Sequence, residues 1–477
     1  MASVKPIALA AVGVWLLCAV PARGAAAEHE LLAGASRRPI TPEGRVWLAG
    51  HGLGPFRGSR GVAHELHVRA LALTQGERTL VLVSADLVGL FREEVRAIES
   101  LLAARLPDGG ARMPAIILTA THTHSGPDAL GFWGGWPRAE RDRFRGQVLA
   151  AIEGALASRR PAELSRAAFR VPSRTSSRRD LAGNEEQYAV ALRLLDQEGG
   201  VLATLVNFAA HPTLFGRDSR LIGPDFPGYL SARIEANSGG VALYFTGAAG
   251  DIAPLSPQGR GIEAARSYGE ALADLVEAAL SLGGTDPGVP VLDFRRRELG
   301  LPITNWPLIL ASELGLAGRR FAGGRIETEV WAVRIGEAYL LTFPGEPLAG
   351  IGRHLRQELD VAATVVIGLA NDAIGYLVPR DEWRPRGYEE RLALSPVAGD
   401  LVADAVLTLA AELAGRSSPE PRTDAIALAQ AMRAARRLQL AVRLAIMATL
   451  LAILLSIAVL VATAGSVRRT AIGKDRW

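Results

Sequence analysis

The chain has 477 residues, 49% of them apolar, with 53 basic and 49 acidic side chains and a formal charge of +4. That length allows two or three domains, or one large enzyme core with appendages, and the apolar half suffices for a sizeable core. Its basic residues are arginine apart from Lys5 and Lys474, and no basic stripe interleaved with aromatics exists to bind nucleic acid.

The first segment, 1–27, has Lys5, an apolar run over 7–20 and small residues at 24–27. It reads as a secretory signal with an A-x-A type cleavage site, an uncleaved anchor being the alternative. Cys18, the single cysteine, lies inside it. The processed protein is therefore expected to hold no disulfide and no cysteine nucleophile.

Beyond the signal, 31–40 and 46–54 read as short strands joined by Thr41-Pro42-Glu43-Gly44. The stretch 64–71 alternates, 79–85 is a buried strand ending at Asp86, and 91–106 has helical spacing. A strand then enters 116–127, IILTATHTHSGP. If extended geometry persists there, His122 and His124 leave the sheet on one side, where the chain turns. Two neutral imidazoles on a rigid strand end suit a metal, and the plain alternative is a hydrogen-bonded pair at a loop entrance.

A long helix is expected over 138–158, followed by a polar arginine-rich loop, SRTSSRRD at 173–180. Strands follow at 188–195 and 201–209, the second running into Asn207-Phe208-Ala209-Ala210-His211-Pro212-Thr213. Another covers 241–245 and leads to Asp251, and 262–282 is helical. The strands 327–335 and 338–341 pair around Gly336, and the second runs into Phe343-Pro344-Gly345-Glu346-Pro347. Pro347 suits a first helical position, which would put Glu346 at the mouth of a helix reaching 359. A strand at 361–367 leads to Asn371 and Tyr376, and 397–414 is the last core helix. No internal repeat is visible.

The expected fold class is α/β: a mixed, largely buried sheet with flanking helices and the site at strand C-terminal ends, plus one C-terminal transmembrane helix. His122, His211, Asp251, Glu346 and Tyr376 each stand at or just past an apolar strand, where open α/β sheets collect ligands. Together they offer nitrogen and oxygen but no sulfur, which suits a catalytic zinc better than a structural one.

The C-terminal part divides into a linker and basic amphipathic segment, 416–443, and an uninterrupted apolar run, 444–464. The run has the length of about 20 residues needed to cross a bilayer, and the segment before it is suited to lie on headgroups. Arginines flank both sides, so the signal decides the orientation: 28–415 exported as the catalytic domain, 465–477 a cytoplasmic tail. The expectation is a single-pass membrane protein with its large domain outside the cytoplasm.

THTHSGP, NFAAHPT, GAAGDIAP, FPGE and GLANDAIGY occur in the order and approximate spacing of the neutral ceramidase family, which the chain resembles over 31–414. The resemblance implies a zinc amidase, secreted or membrane-associated, that hydrolyses the N-acyl bond of ceramide. It implies zinc ligation by His122, His211, Glu346 and Tyr376. His124 would stand beside the metal to polarise the carbonyl or handle a proton, and Asp251 would be the aspartate of the family's GDxSP segment. By residue type alone Tyr376 would be a core residue. Arg178, in SSRRD, is the counterpart of an arginine in an NRS-type loop.

Two departures touch the site. The serine of GDxSP is Ala253, and Ser256 lies too far along to replace it; the arginine loop matches only loosely. A third is architectural, since the linker and apolar helix stand where the family has an immunoglobulin-like domain. The expected chemistry is attack by zinc-bound hydroxide on an amide carbonyl of a lipid-like substrate, with proton transfer to the amine. Another N-acyl or ester substrate, or a catalytically impaired metal- or lipid-binding homologue, are the alternatives.

Overall fold

Runs such as Leu80-Val81-Leu82-Val83 are buried on both faces, which requires a packed layer on each side of the sheet. The computed structural model supplies those layers. It describes residues 30–472 except 107–109, 173, 180–187, 284–289, 317 and 360–363, with side chains to 457. The expected signal segment with Cys18, and the last residues of the tail, lie outside the described residues.

The chain builds one unit three times. In the first, strands β1 (Leu32–Pro39), β2 (His67–Gln75) and β3 (Arg78–Ala85) form an antiparallel meander. Helix α1 (Arg92–Ala103) then crosses over to β4 (Ala115–Ala120), parallel to β3, and α2 (Arg138–Ala157) follows. The second unit repeats this with β5 (Glu163–Arg170), β6 (Tyr188–Leu195), β7 (Val201–Phe208), α3 (Asp225–Ser238), β8 (Val241–Thr246) and α4 (Ile262–Leu282). The third has β9 (Leu292–Pro302), an excursion carrying α5 (Trp306–Glu313), β10 (Arg325–Ile335), β11 (Ala338–Thr342), α6 (Ala349–Glu358), β12 (Thr364–Ile367) and α7 (Ala398–Ala414).

Side-chain alternation sorts each strand between two cores. Leu71, Leu82 and Ile117 of the first sheet, Leu192, Leu205 and Phe245 of the second, and Val333, Leu340 and Ile367 of the third share one central cluster. The alternate residues meet helices. Val81 and Leu118 pack with Ile98 and Ile152, Val206 and Tyr244 with Leu230 and Leu272, and Leu341 and Val366 with Leu355 and Val406. Three sheets thus turn one face each inward, like the walls of a prism, and each carries helices outside.

Polar side chains fasten the walls. Ser84 Oγ donates to Tyr244 O at 2.7 Å, and Asn207 Nδ2 donates to Val366 O at 2.6 Å. Asn371 closes the circle, donating to Ile116 O at 3.0 Å and accepting from Leu118 N at 2.7 Å. Its φ of 57° is a left-handed conformation that asparagine tolerates well.

Three sequence expectations change. Residues 46–54 form no strand beyond single bridges at Trp47 and Leu48, because Gly50, Gly52 and Gly54 all turn the chain with positive φ. Pro347 does not open a helix. Glu346–Pro347 pairs in parallel with Tyr376–Leu377, held by Glu346 N to Gly375 O at 2.9 Å, and α6 begins at Ala349. Finally, after the non-helical linker 416–424, the basic segment is not a separate surface helix: α8 (Ala425–Ile472) runs unbroken through it and the apolar run, with Ala435 and Gln439 buried against the third unit.

Candidate metal centre

The parallel pairs β3–β4, β7–β8 and β11–β12 end together, and each end contributes to one site. His122 lies two residues past β4 with a φ of 68°, so extended geometry does not persist and the alternation argument for the two histidines fails. The turn, not the strand, aims the ring. His122 Nδ1 is 2.6 Å from Val88 O, just past β3, and His211 Nδ1, past β7, is 2.6 Å from Ala249 O, past β8. A carbonyl only accepts, so each Nδ1 carries the proton and each Nε2 lone pair is left free.

Those free nitrogens converge with a carboxylate from the third unit. His122 Nε2 and His211 Nε2 are 3.2 Å apart, and each is 3.2 Å from Glu346 Oε2. Ligands at about 2.0–2.1 Å from a tetrahedral zinc stand about 3.3 Å apart. A gap of about 10 Å³ opens between these atoms and Gly247, Gly250, Gly345 and Gly368. That is enough for one ion. Glu346 Oε2 is buried without a hydrogen-bond donor among the described residues. Two lone pairs facing a carboxylate repel one another until a cation stands between them, so the donor set fits a zinc-like ion.

The same burial sets the protonation states. Burial, then nearby Arg178, pulls His211 down to about 4, keeping it a neutral donor. Burial opposes charge on His122 too, but Glu346 outweighs it and raises its value. Burial would protonate Glu346, yet the two imidazoles hold it well below the usual carboxylate range. His124 Nε2 lies 3.4 Å from His122 Nε2, and the three histidines offer nitrogens within 4.8 Å of one another, a cluster able to hold a metal. Burial keeps His124 well below the ordinary histidine value.

Sequence reasoning missed the residues that wedge His124. Gly50, with φ 97°, backs onto its ring, where a Cβ would come within 2.3 Å of Cγ. His51 stacks edge-on, with ring centroids 4.8 Å apart. Arg57 is buried and donates to Ala49 O and His124 O, both at 2.9 Å, and to Ser219 O at 3.0 Å. The signal was the Gly-His-Gly run at 50–52, whose glycines allow this close approach.

Tyr376 is buried beside Glu346 as its strand partner. Its hydroxyl is 3.5 Å from Arg178 NH2, whose guanidinium lies over the Tyr376 and Tyr388 rings. A cavity of about 400 Å³ adjoins them, lined by Arg178, Arg179, Arg384, Tyr388, Glu389 and Glu390. Asp251 is buried and accepts from Ala349 N at 2.8 Å, so it braces the start of α6 behind Glu346; Ser177 Oγ, at 3.5 Å, is its other side-chain partner. Ala253 pairs with Ser176 across a short ladder, while Ser256 turns away to Gln258.

Comparison with known proteins bears on this arrangement. No family model matches the chain. Neutral ceramidase of Pseudomonas aeruginosa is 26% identical over 200 residues, which span 37% of this chain and 30% of that protein. The solved structure of that organism's neutral ceramidase matches with a TM-score of 0.69 at 21% identity, covering 83% of this chain and 76% of that one. A structure of ceramidase complexed with C2 matches with a TM-score of 0.69 at 20% identity, over 83% and 77%.

Proposed function

We propose that this chain, a homologue of the neutral ceramidases that carries their fold, is a membrane-held zinc hydrolase. Its substrate class is an N-acyl lipid of the ceramide kind, cleaved at the amide. The convergence of His122 Nε2, His211 Nε2 and Glu346 Oε2 at 3.2 Å carries this reading. Tyr376 completes the ligand set. These residues would hold a zinc ion that would polarise a carbonyl and lower the pKa of its bound water to about 7.

The chain's own groups do the rest. His124 is half-buried and held well below the ordinary histidine value, and its Nδ1 has no hydrogen-bond partner among the described residues. It takes the proton of the attacking water and returns it to the leaving amine, which would otherwise depart as an unstable anion. Asp251 keeps Glu346 in place through the start of α6. Arg178 binds the polar end of the substrate from the adjoining cavity. The apolar helix 444–464 spans the bilayer, and 28–415 lies on the exported side.

Metal analysis and hydrolysis on the full chain in detergent test the proposal. About one zinc per chain is expected, lost in His122→Ala and in His211→Ala. Hydrolysis of an N-acyl sphingoid base should vanish on chelation, return with zinc, and be absent in Glu346→Ala. Full zinc occupancy in either histidine variant would remove that residue from the metal. A zinc-loaded protein inert toward N-acyl lipids, N-acyl amino acids and simple esters would overturn the enzyme.

A further inference from the structure

We propose that α8 is a rigid strut that holds the catalytic end of the protein against the bilayer, with Leu314 and Leu316 resting in the lipid. The inference rests on the reading that 444–464 spans the membrane.

Strand direction fixes which end is which. β11 and β12 run toward the metal centre, and β10 is antiparallel to β11, with Ala332 opposite Leu341. The start of β10, from Arg325 to Val330, therefore overhangs the end where Glu346 lies. The excursion 303–324 between β9 and β10 leaves and returns at that same end. Helix α8 docks there. Arg422 N and Thr423 N, just before it, bond to Asp404 at 3.0 and 2.9 Å. Further along, Gly324 backs onto Ala435, where a Cβ would lie 2.5 Å from the Ala435 carbonyl carbon. Gln439 Nε2 donates to Phe321 O at 2.9 Å and to Glu313 Oε1 at 2.7 Å, and its Oε1 accepts from Gly324 N.

The last contact sets the depth. Arg443 Nε bonds to Glu313 Oε1 at 2.8 Å, and the apolar run begins at the next residue, Leu444. Glu313 is thus at the level of the bilayer surface, and the chain immediately after it carries Leu314 and Leu316, exposed by 52% and 67%. No break separates strut from span, since α8 is one helix from Ala425 to Ile472. At 1.5 Å per residue the 21 residues of 444–464 cover about 31 Å, the hydrocarbon thickness. The loop that wedges His124 carries exposed Leu53 and Phe56, so the centre too is rimmed by apolar side chains. A lipid substrate could then move from the bilayer to the site without crossing water.

The test uses the full chain with Cys18→Ser, reconstituted in phosphatidylcholine vesicles. One variant carries Leu316→Cys and another Leu282→Cys, at the far end of α4, each labelled with an environment-sensitive dye. The label at 316 should be blue-shifted and quenched by nitroxide lipids, and the label at 282 should be neither. Adding Gln439→Ala should undock the strut and remove the quenching at 316 while the protein stays in the vesicles. Equal, solvent-like signals at both positions in a carbonate-resistant protein overturn the orientation alone. Quenching that survives Gln439→Ala overturns the rigid strut. Extraction of the protein by carbonate overturns the span and this inference with it.

Discussion

His122 and His211 each donate a hydrogen bond to a backbone carbonyl, whereas His124 is fixed by packing between Gly50 and His51, its buried Nδ1 without a partner among the described residues. Under the proposed function that difference would separate ligand from proton carrier. His124→Ala should keep its zinc and lower kcat by about 10²–10⁴-fold, the usual worth of a general acid or base; loss of zinc along with activity would make His124 a ligand instead. Ala253 poses the complementary question, since the relatives' serine is missing there. A lost hydroxyl contact costs about 2.7–4 kcal/mol in the oxyanion-hole comparison, which slows a metal hydrolase without stopping it. Ser176, opposite Ala253 in the ladder, brings a hydroxyl to the same locality. Ala253→Ser should leave turnover unchanged or raise it. Activity that appears only in Ala253→Ser would mean that the natural chain is an impaired homologue.

At the scale of elements, a few buried polar side chains, the Ser84 hydroxyl and the Asn207 and Asn371 amides, fasten the three sheets to one another. Asn371 joins the third sheet to the first through Ile116 O and Leu118 N, and it also donates to Glu329 Oε1 at 2.9 Å. Removing its side chain leaves buried groups unpaired at about 1–3 kcal/mol each. Asn371→Ala is expected to lose at least about 2 kcal/mol in urea titration and to disturb Glu346 through the loop that leads to Tyr376. An unchanged midpoint would show that the walls close without this fastening. The same logic explains Asp251. Its bond to Ala349 N fixes where α6 starts, and the ladder between Glu346–Pro347 and Tyr376–Leu377 delays that start by two residues relative to the proline.

For the whole molecule, acid is the informative stress. His67, at the start of β2, is pulled down to about 4 by burial and by Arg69, Arg37 and His64. Its Nε2 is 3.9 Å from exposed Glu65, its backbone N–H rather than its ring donates to Asp86 at 2.8 Å, and its Nδ1 has no partner among the described residues. The folded value is below the unfolded 6.5, so unfolding takes up a proton between these values. Stability from this residue is complete above pH 6.5 and falls as the pH drops toward 4. His67→Gln should narrow the gap between urea midpoints at pH 7 and pH 5. A gap identical to that of the parent chain would assign the acid loss elsewhere.

The sequence by itself determined the strands and helices that are buried on both faces, because long apolar runs have no other solution in water. It also marked the five motifs, since turns at strand ends need Gly, Pro and Asn in fixed order. It did not reveal β5 and β9, whose sequences ELSRAAFR and LDFRRRELGLP read as polar because edge strands keep charge on their open face. It hid α3, where Pro224, Pro227 and Gly228 resemble a turn; Pro227 is tolerated because it sits in the first turn. The threefold repetition left no trace in the residues, because each wall needs only apolar side chains in alternation and not the same ones. Only the tertiary structure decided how the residues of the candidate metal centre come together. His122, His211 and Glu346 come from three different units, and they meet because three inward faces can bury themselves only against one another, which brings the ends of all six parallel strands around one axis.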